Sequence, residues 1–134
     1  QLEYNYHMSE ESAFSKNDIK IGAGVPKFSE ITARSVQYEA ILREYEDIIR
    51  LSPDFIYAYY NRAEIFTIEK DYRAAISDYT KAIEIEPQFA EAYFNRGLTR
   101  LSIGETTDGL DDLRQAGELG IVQSYSIIKR MQQD

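Results

Sequence analysis

Cysteine is absent from the 134 residues, which excludes disulfides, thiolate catalysis and zinc–sulfur sites. The redox compartment stays open, because a chain without cysteine is at home on either side of a membrane. Histidine occurs once, at His7, in a polar segment with no recognisable motif around it. A general base or metal ligand needs a partner at hydrogen-bonding distance, so a solvated or partly packed side chain is the plainer reading of His7. No apolar run approaches the roughly 18 residues of a membrane span, and no charged-then-apolar leader is visible. The chain starts at Gln1 rather than Met, which leaves room for an upstream leader or domain. Positive charge is scarce: 15 Lys and Arg against 23 Asp and Glu give a net charge of −8 and a pI near 4.7. That balance argues against a nucleic-acid backbone as partner, which needs clustered Lys and Arg. The hydrophobic content of 43% is ordinary for a single soluble globular domain of this length.

What the chain does contain is a repeat. Shifted by 34 residues, the stretch from Phe55 to Phe89 falls on itself: Phe55 on Phe89, Ala58 on Ala92, Tyr59 on Tyr93, Asn61 on Asn95 and Arg62 on Arg96. Ala63 falls on Gly97, and Pro53 on Pro87. Self-similarity at this period marks a helical solenoid, whose helix–turn–helix units cannot bury their apolar sides alone. The row YYNRAEIF…KDYRAAISDYTKAIEIEP from Tyr59 closely resembles a tetratricopeptide repeat of a bacterial-type array. It has aromatics at Tyr59 and Phe66, a small residue at Ala63, then Ala75, Tyr79, Ala82 and the closing Pro87. The resemblance covers about residues 35–120 and implies an all-α, right-handed solenoid of antiparallel helix pairs with a C-terminal capping helix.

Taken in order, the chain divides into an irregular segment at 1–28 and a repeat domain at 29–134. In the first part Leu2, Tyr4 and Tyr6 alternate too briefly to separate a strand from a helix end, while Gly22, Gly24 and Pro26 punctuate a loop. From about Ser29 to Leu51 an apolar face formed by Ile31, Tyr38, Ile41, Leu42, Tyr45, Ile48 and Ile49 predicts a helix. Ile41, Tyr45, Ile48 and Pro53 sit 34 residues before Ala75, Tyr79, Ala82 and Pro87, so 29–53 reads as the second half of a repeat. Two readings of its missing partner stand. Either the chain begins inside a repeat, with Gln1–Tyr6 ending a first helix and residues 8–28 inserted at its turn, or 1–28 is an irregular N-terminal cap. Helices are then expected from about Asp54 to Ile68 and on to Ile85, closing the repeat 54–87. In the repeat 88–120, helices are expected at Phe89–Ser102 and Thr106–Leu119. The second of these reads as degenerate, because Gly109 and Gly117 each weaken a helix by roughly 1 kcal/mol relative to alanine. After Gly120, a plausible C′ residue, the spacing of Ile121, Tyr125, Ile128 and Met131 predicts a capping helix over 121–133. On this reading the C-terminus is a true end of the array and the chain a C-terminal fragment of it.

Catalytic constellations are not found. Gly22-Ala23-Gly24 lacks the Lys-Ser/Thr and the βαβ setting of a phosphate loop. Glu10-Glu11 and Asp111-Asp112 are sequence neighbours, and on a helix such neighbours point apart, so both pairs read as solvated acidic faces. The chain is therefore read as non-catalytic, with no cofactor and no metal.

The resemblance places the candidate site in the concave groove lined by the first helix of each pair. Its inward positions are Tyr57, Tyr60, Asn61, Glu64 and Ile68 in one unit, and Glu91, Phe94, Asn95, Leu98 and Leu101 in the next. Tyr60 and Phe94 serve either a ligand or the protein's own packing, and the two are compatible. Family members that grip a C-terminal carboxylate need Lys and Arg there, which alone supply charge-assisted donors. Here Tyr60, Glu64 and Glu91 stand at those places, while Arg62 and Arg96 lie one step round the helix, at an inter-helix position. The implied function is a scaffold that binds a protein or peptide, apolar or basic rather than acidic, with self-association also possible. The alternative is a structural C-terminal end of a longer solenoid, its groove filled by its own N-terminal segment.

Overall fold

The computed structural model describes residues 28–133 in backbone and side chains from residue 35 onward. Expectations for His7, Gly22-Ala23-Gly24, Glu10-Glu11 and the route of residues 1–27 lie outside the described residues. Among the described residues six helices follow one another: α1 (Phe28–Leu51), α2 (Ile56–Ile68), α3 (Tyr72–Ile85), α4 (Ala90–Ser102), α5 (Thr106–Glu118) and α6 (Gln123–Met131). Among these described helices, substantial packing joins those consecutive in sequence, as a solenoid requires. The fold is an all-α helical-repeat solenoid. Helix α2 starts two residues later than Asp54 and α4 one later than Phe89, because Phe55 and Phe89 keep φ/ψ outside the helical region and stand as N-caps.

Two kinds of turn alternate. Between α3 and α4, Glu86 is extended (φ −132°, ψ 94°), the conformation that a following proline imposes. Between α2 and α3, Lys70 takes φ +63°, Lys70 N–H donates to Thr67 O (3.0 Å) and Asp71 N–H to Phe66 O (2.8 Å). This is a Schellman closure, and it recurs one unit later at Gly104 (φ +83°), with Gly104 N–H donating to Leu101 O and Glu105 N–H to Arg100 O. Asp71 also caps α3, its side chain accepting from Ala74 N–H at 3.4 Å.

The core runs along the stack. Tyr38, Ile41 and Tyr45 of α1 meet Ala58 and Ile65 of α2, with Ile49 packed at the edge. Ile49 also touches the next cluster, formed by Tyr59 and Ala63 of α2, Ala75, Tyr79 and Ala82 of α3, and Ala92 of α4. Ala63, Ala75 and Ala82 are completely buried, as expected where two backbones cross closely.

The second helix of the next unit is not degenerate in the sense expected. A Cβ on Gly97 would stand 2.9 Å from the carbonyl oxygen of Gly109, and a Cβ on Gly109 2.9 Å from that of Gly97. Gly97 and Gly109 lie 34 residues beyond Ala63 and Ala75, so the crossing is kept and tightened until only glycine fits. At Gly117 a Cβ would lie 2.7 Å from the ring of Tyr125, which rests on this bare stretch of α5. Where the upstream units close on proline, α5 closes through Gly120 (φ +116°), Gly120 N–H donating to Gly117 O and Ile121 N–H to Ala116 O.

Buried ion pairs tie each unit together. Arg62 Nε and Nη2 donate to Asp78 Oδ2 and Oδ1 at 2.7 and 2.8 Å. One unit on, Arg96 Nε and Nη2 donate to Asp112 at 2.8 and 2.7 Å, Arg96 Nη1 reaches Thr80 Oγ1 on α3, and Arg100 Nη1 donates to Asp112 at 2.8 Å. Arg62 and Arg96 are thus inter-helix residues. The reading of Asp111-Asp112 as one solvated acidic face is corrected: Asp111 is exposed and pairs with Arg114, whereas Asp112 is buried between two guanidinium groups. The two carboxylates do diverge, as adjacent helical positions must, and one of those directions points inward.

Candidate functional site

The positions that the sequence reading places inward on α2 and α4 fall into different environments. Asn61 is completely buried, and Ile68 packs into the first core cluster beside α1. Leu101 is half-buried with its Cδ2 against Gly109, so it belongs to the α4–α5 crossing. Phe94 and Leu98 are half-buried on α4, and Glu91 is exposed in its first turn. Of the remaining four residues, Tyr57 belongs to a row of aromatic rings, and Tyr60, Glu64 and Asn95 are joined by hydrogen bonds across the two units. Asn95 Nδ2 donates to Tyr60 Oη at 2.8 Å, which leaves the phenol O–H for the Glu64 carboxylate. Burial pushes the Tyr60 phenol far above its ordinary value, and the Glu64 and Glu91 carboxylates push it further in the same direction. It remains a donor. Burial also raises the Glu64 carboxyl, an effect that the Tyr60 hydrogen bond partly offsets.

Aromatic rings extend the arrangement toward solvent. The Tyr60 ring lies 4.8 Å from Phe89 and 5.8 Å from Tyr79, and Phe89 in turn meets Tyr57 edge-on at 6.1 Å. Tyr57 also meets Phe55 at 6.2 Å and remains 48% exposed, so this row of rings has one end inside the stack and one end open. Phe89 is the residue that reading the sequence for a groove missed. The signal was present, since Phe55 and Phe89 are repeat equivalents flanking their helices, but a position preceding a helix is not counted among its faces. Beside Tyr57 and Phe89 opens a cleft of about 540 Å³ between the start of α2, the α3–α4 turn and the end of α5.

Among the described residues no group of three His, Asp or Glu side chains is placed to hold a metal ion. No described helix is long and apolar enough to cross a membrane.

Comparison with known proteins is consistent across sequence and structure. A tetratricopeptide-repeat family model matches residues 56–89, and a second tetratricopeptide-repeat model matches residues 78–111. The first repeat domain of Spaghetti (RPAP3) bound to the HSP90 peptide SRMEEVD is similar to this chain, with a TM-score of 0.67 at 19% identity over 78% of this chain and 84% of that one. The TPR2B domain of yeast Sti1, in a pHsp70 complex, gives 0.64 at 23% identity over 78% and 91%. The type III secretion translocator chaperone SycD of Yersinia enterocolitica gives 0.66 at 16% identity over 73% and 74%. No curated protein matches the sequence.

Proposed function

The chain belongs to the tetratricopeptide-repeat family, and from that premise we propose that it is a non-catalytic scaffold binding a polypeptide partner along the face formed by α2 and α4. The observation that carries this reading is the row of rings from Tyr60 through Phe89 to Tyr57, anchored inside the stack and open at Tyr57. Completing the burial of one such ring contributes at most roughly 1.5–3 kcal/mol, enough for a few contacts to hold a peptide. Peptide complexes of RPAP3 and Sti1 repeat domains support the reading, because the same fold there carries a bound peptide.

The partner proposed here is apolar or basic. Glu64 and Glu91 stand where a carboxylate-gripping site needs cations, and both act on Tyr60 as negative charges. An acidic C-terminus placed there is repelled, whereas a cationic or apolar side chain is not.

The test is selection of peptides from a random displayed library on the full chain, followed by backbone amide mapping by NMR. Selected sequences are expected to be rich in apolar and basic residues and to shift amides of α2 and α4. Tyr57→Ala is expected to weaken binding at least about tenfold, or about 1.4 kcal/mol, with little change in Tm, because this ring is half exposed. Selection of acidic-tailed peptides, or shifts confined to α3 and α5, would overturn the reading. Repeating the titration after deletion of residues 1–27 tests the competing possibility: affinity that appears only on deletion assigns the groove to the chain's own N-terminal segment.

A further inference from the structure

The cleft beside the ring row has a chemistry of its own. One wall is a corner: the rings of Tyr57 and Phe89 stand 74° apart with centroids 6.1 Å from each other, so two aromatic surfaces meet at a near right angle. Ile56 and Leu119 continue the apolar lining, and the cavity of about 540 Å³ is large enough for one or two long side chains. Two carboxylates, Glu86 and Glu91, flank the α3–α4 turn as part of the same lining. Both are exposed, and neither pairs with a Lys or Arg among the described residues. The Glu86 carboxylate is held in place, its Oε1 accepting from Gln88 N–H at 2.9 Å. By contrast Arg62, Arg73, Arg96 and Arg100 are committed to Asp78, Glu105 and Asp112 elsewhere in the fold. The cleft therefore offers apolar and aromatic walls with unneutralised negative charge at the mouth.

A side chain complementary to this has a long apolar stem and a cationic head. The stem covers ring and aliphatic surface while the head reaches the carboxylates, and a cation over an aromatic face gains further attraction. We propose that this cleft takes a lysine or arginine side chain of the bound polypeptide, its stem against Tyr57 and Phe89 and its charge between Glu86 and Glu91. The proposal rests on the scaffold reading above and specifies one pocket within it. An acidic segment meets like charge at this mouth, and a purely apolar one leaves both carboxylates unused.

The full chain, labelled for amide NMR, would be titrated with three blocked hexapeptides: one of alternating leucine and lysine, its glutamine analogue and its glutamate analogue. The lysine peptide is expected to shift the amides of Tyr57, Gln88 and Glu91 and to bind roughly tenfold more tightly than the glutamine peptide. The double variant Glu86→Gln, Glu91→Gln, which changes only exposed side chains, is expected to bring the two peptides to within about twofold while still binding both. Equal binding of all three peptides, or a lysine preference that survives the double variant, overturns the cleft and leaves the scaffold standing. Shifts confined to Phe94 and Leu98 with none around Gln88 do the same. No binding by any peptide at any face overturns both readings.

Discussion

Asp78 and Asp112 occupy the same place in successive units, yet they answer to different amounts of positive charge. Among the described residues Asp78 pairs with Arg62, whereas Asp112 is shared by Arg96 and Arg100. Burial raises the Asp78 carboxyl, and the hydrogen bonds and charge of Arg62 pull it partly back down. Removing one member of a buried pair leaves an uncompensated charge and costs about 3–5 kcal/mol. Asp112→Ala strands two guanidinium groups and is expected to lower the urea midpoint more than Asp78→Ala does. Equal midpoints would mean that Arg100 finds another partner at no cost, Glu105 being the nearest at 3.9 Å. Glu64 gives the opposite sign. Its carboxyl is raised in the folded state by burial, so the folded protein holds the proton more tightly than the unfolded chain. The ionised form is then a penalty on folding, absent below the ordinary glutamate range and growing as pH rises through the raised value. Glu64→Gln keeps an acceptor for Tyr60 and removes that penalty. Its Tm is expected to exceed the parent's at neutral pH and to converge on it in acid, and a variant less stable at neutral pH would show that the Tyr60 hydrogen bond outweighs burial.

Turns and crossings are the element-scale devices, and they show how far the sequence could be read. Lys70 holds φ +63° in the turn where the next unit has Gly104, so a side chain bears strain that glycine would not. Lys70→Gly is expected to raise stability by about 0.5–1 kcal/mol in chemical denaturation, the gain from relieved strain being reduced by the added freedom of the unfolded chain. At the α4–α5 crossing the sign reverses. Gly109→Ala places a methyl 2.9 Å from the Gly97 carbonyl oxygen, a backbone atom that cannot rotate away, and is expected to cost roughly 1–3 kcal/mol by overpacking. A Gly109→Ala protein as stable as the parent would show that α4 and α5 separate freely. The 34-residue offset made the helices, the turns and the Ala63–Ala75 crossing legible from the sequence alone, because small and large residues recur at fixed places. It did not reveal that Gly109 continues the small-residue crossing, since glycine inside a helix also signals weakness and its facing partner Gly97 lies on another helix. The inward positions were legible as a face but not as contacts. Whether Tyr60 meets solvent or Asn95 depends on a unit 35 residues away in sequence, and the complete burial of Asn61 is likewise not written in the pattern of its own helix.

At the scale of the whole molecule, a stack in which each helix packs mainly on its sequence neighbours distributes stability in one dimension. Loss of a terminal element is then felt most by the element next to it and fades with distance. The last helix covers the preceding one through Ser124 and Ile128, both buried, and through the Tyr125 ring laid on Gly117. Deleting residues 121–134 would bare that strip of α5, whose Gly117 has no side chain of its own to shield the backbone. Hydrogen exchange is expected to accelerate strongly in α5, moderately in α4 and little in α1 and α2, with a lowered Tm and a tendency to associate through the uncovered face. The gradient is the informative part. Arg96 ties α4 both to Asp112 on α5 and to Thr80 on α3, so fraying that begins at α5 reaches the earlier unit only by breaking this junction. A truncated protein that loses protection evenly from α1 to α5 would mean that the units fold as one cooperative block. A truncated protein as protected as the parent would mean that α6 contributes no cover and that its apolar residues serve some contact outside this stack.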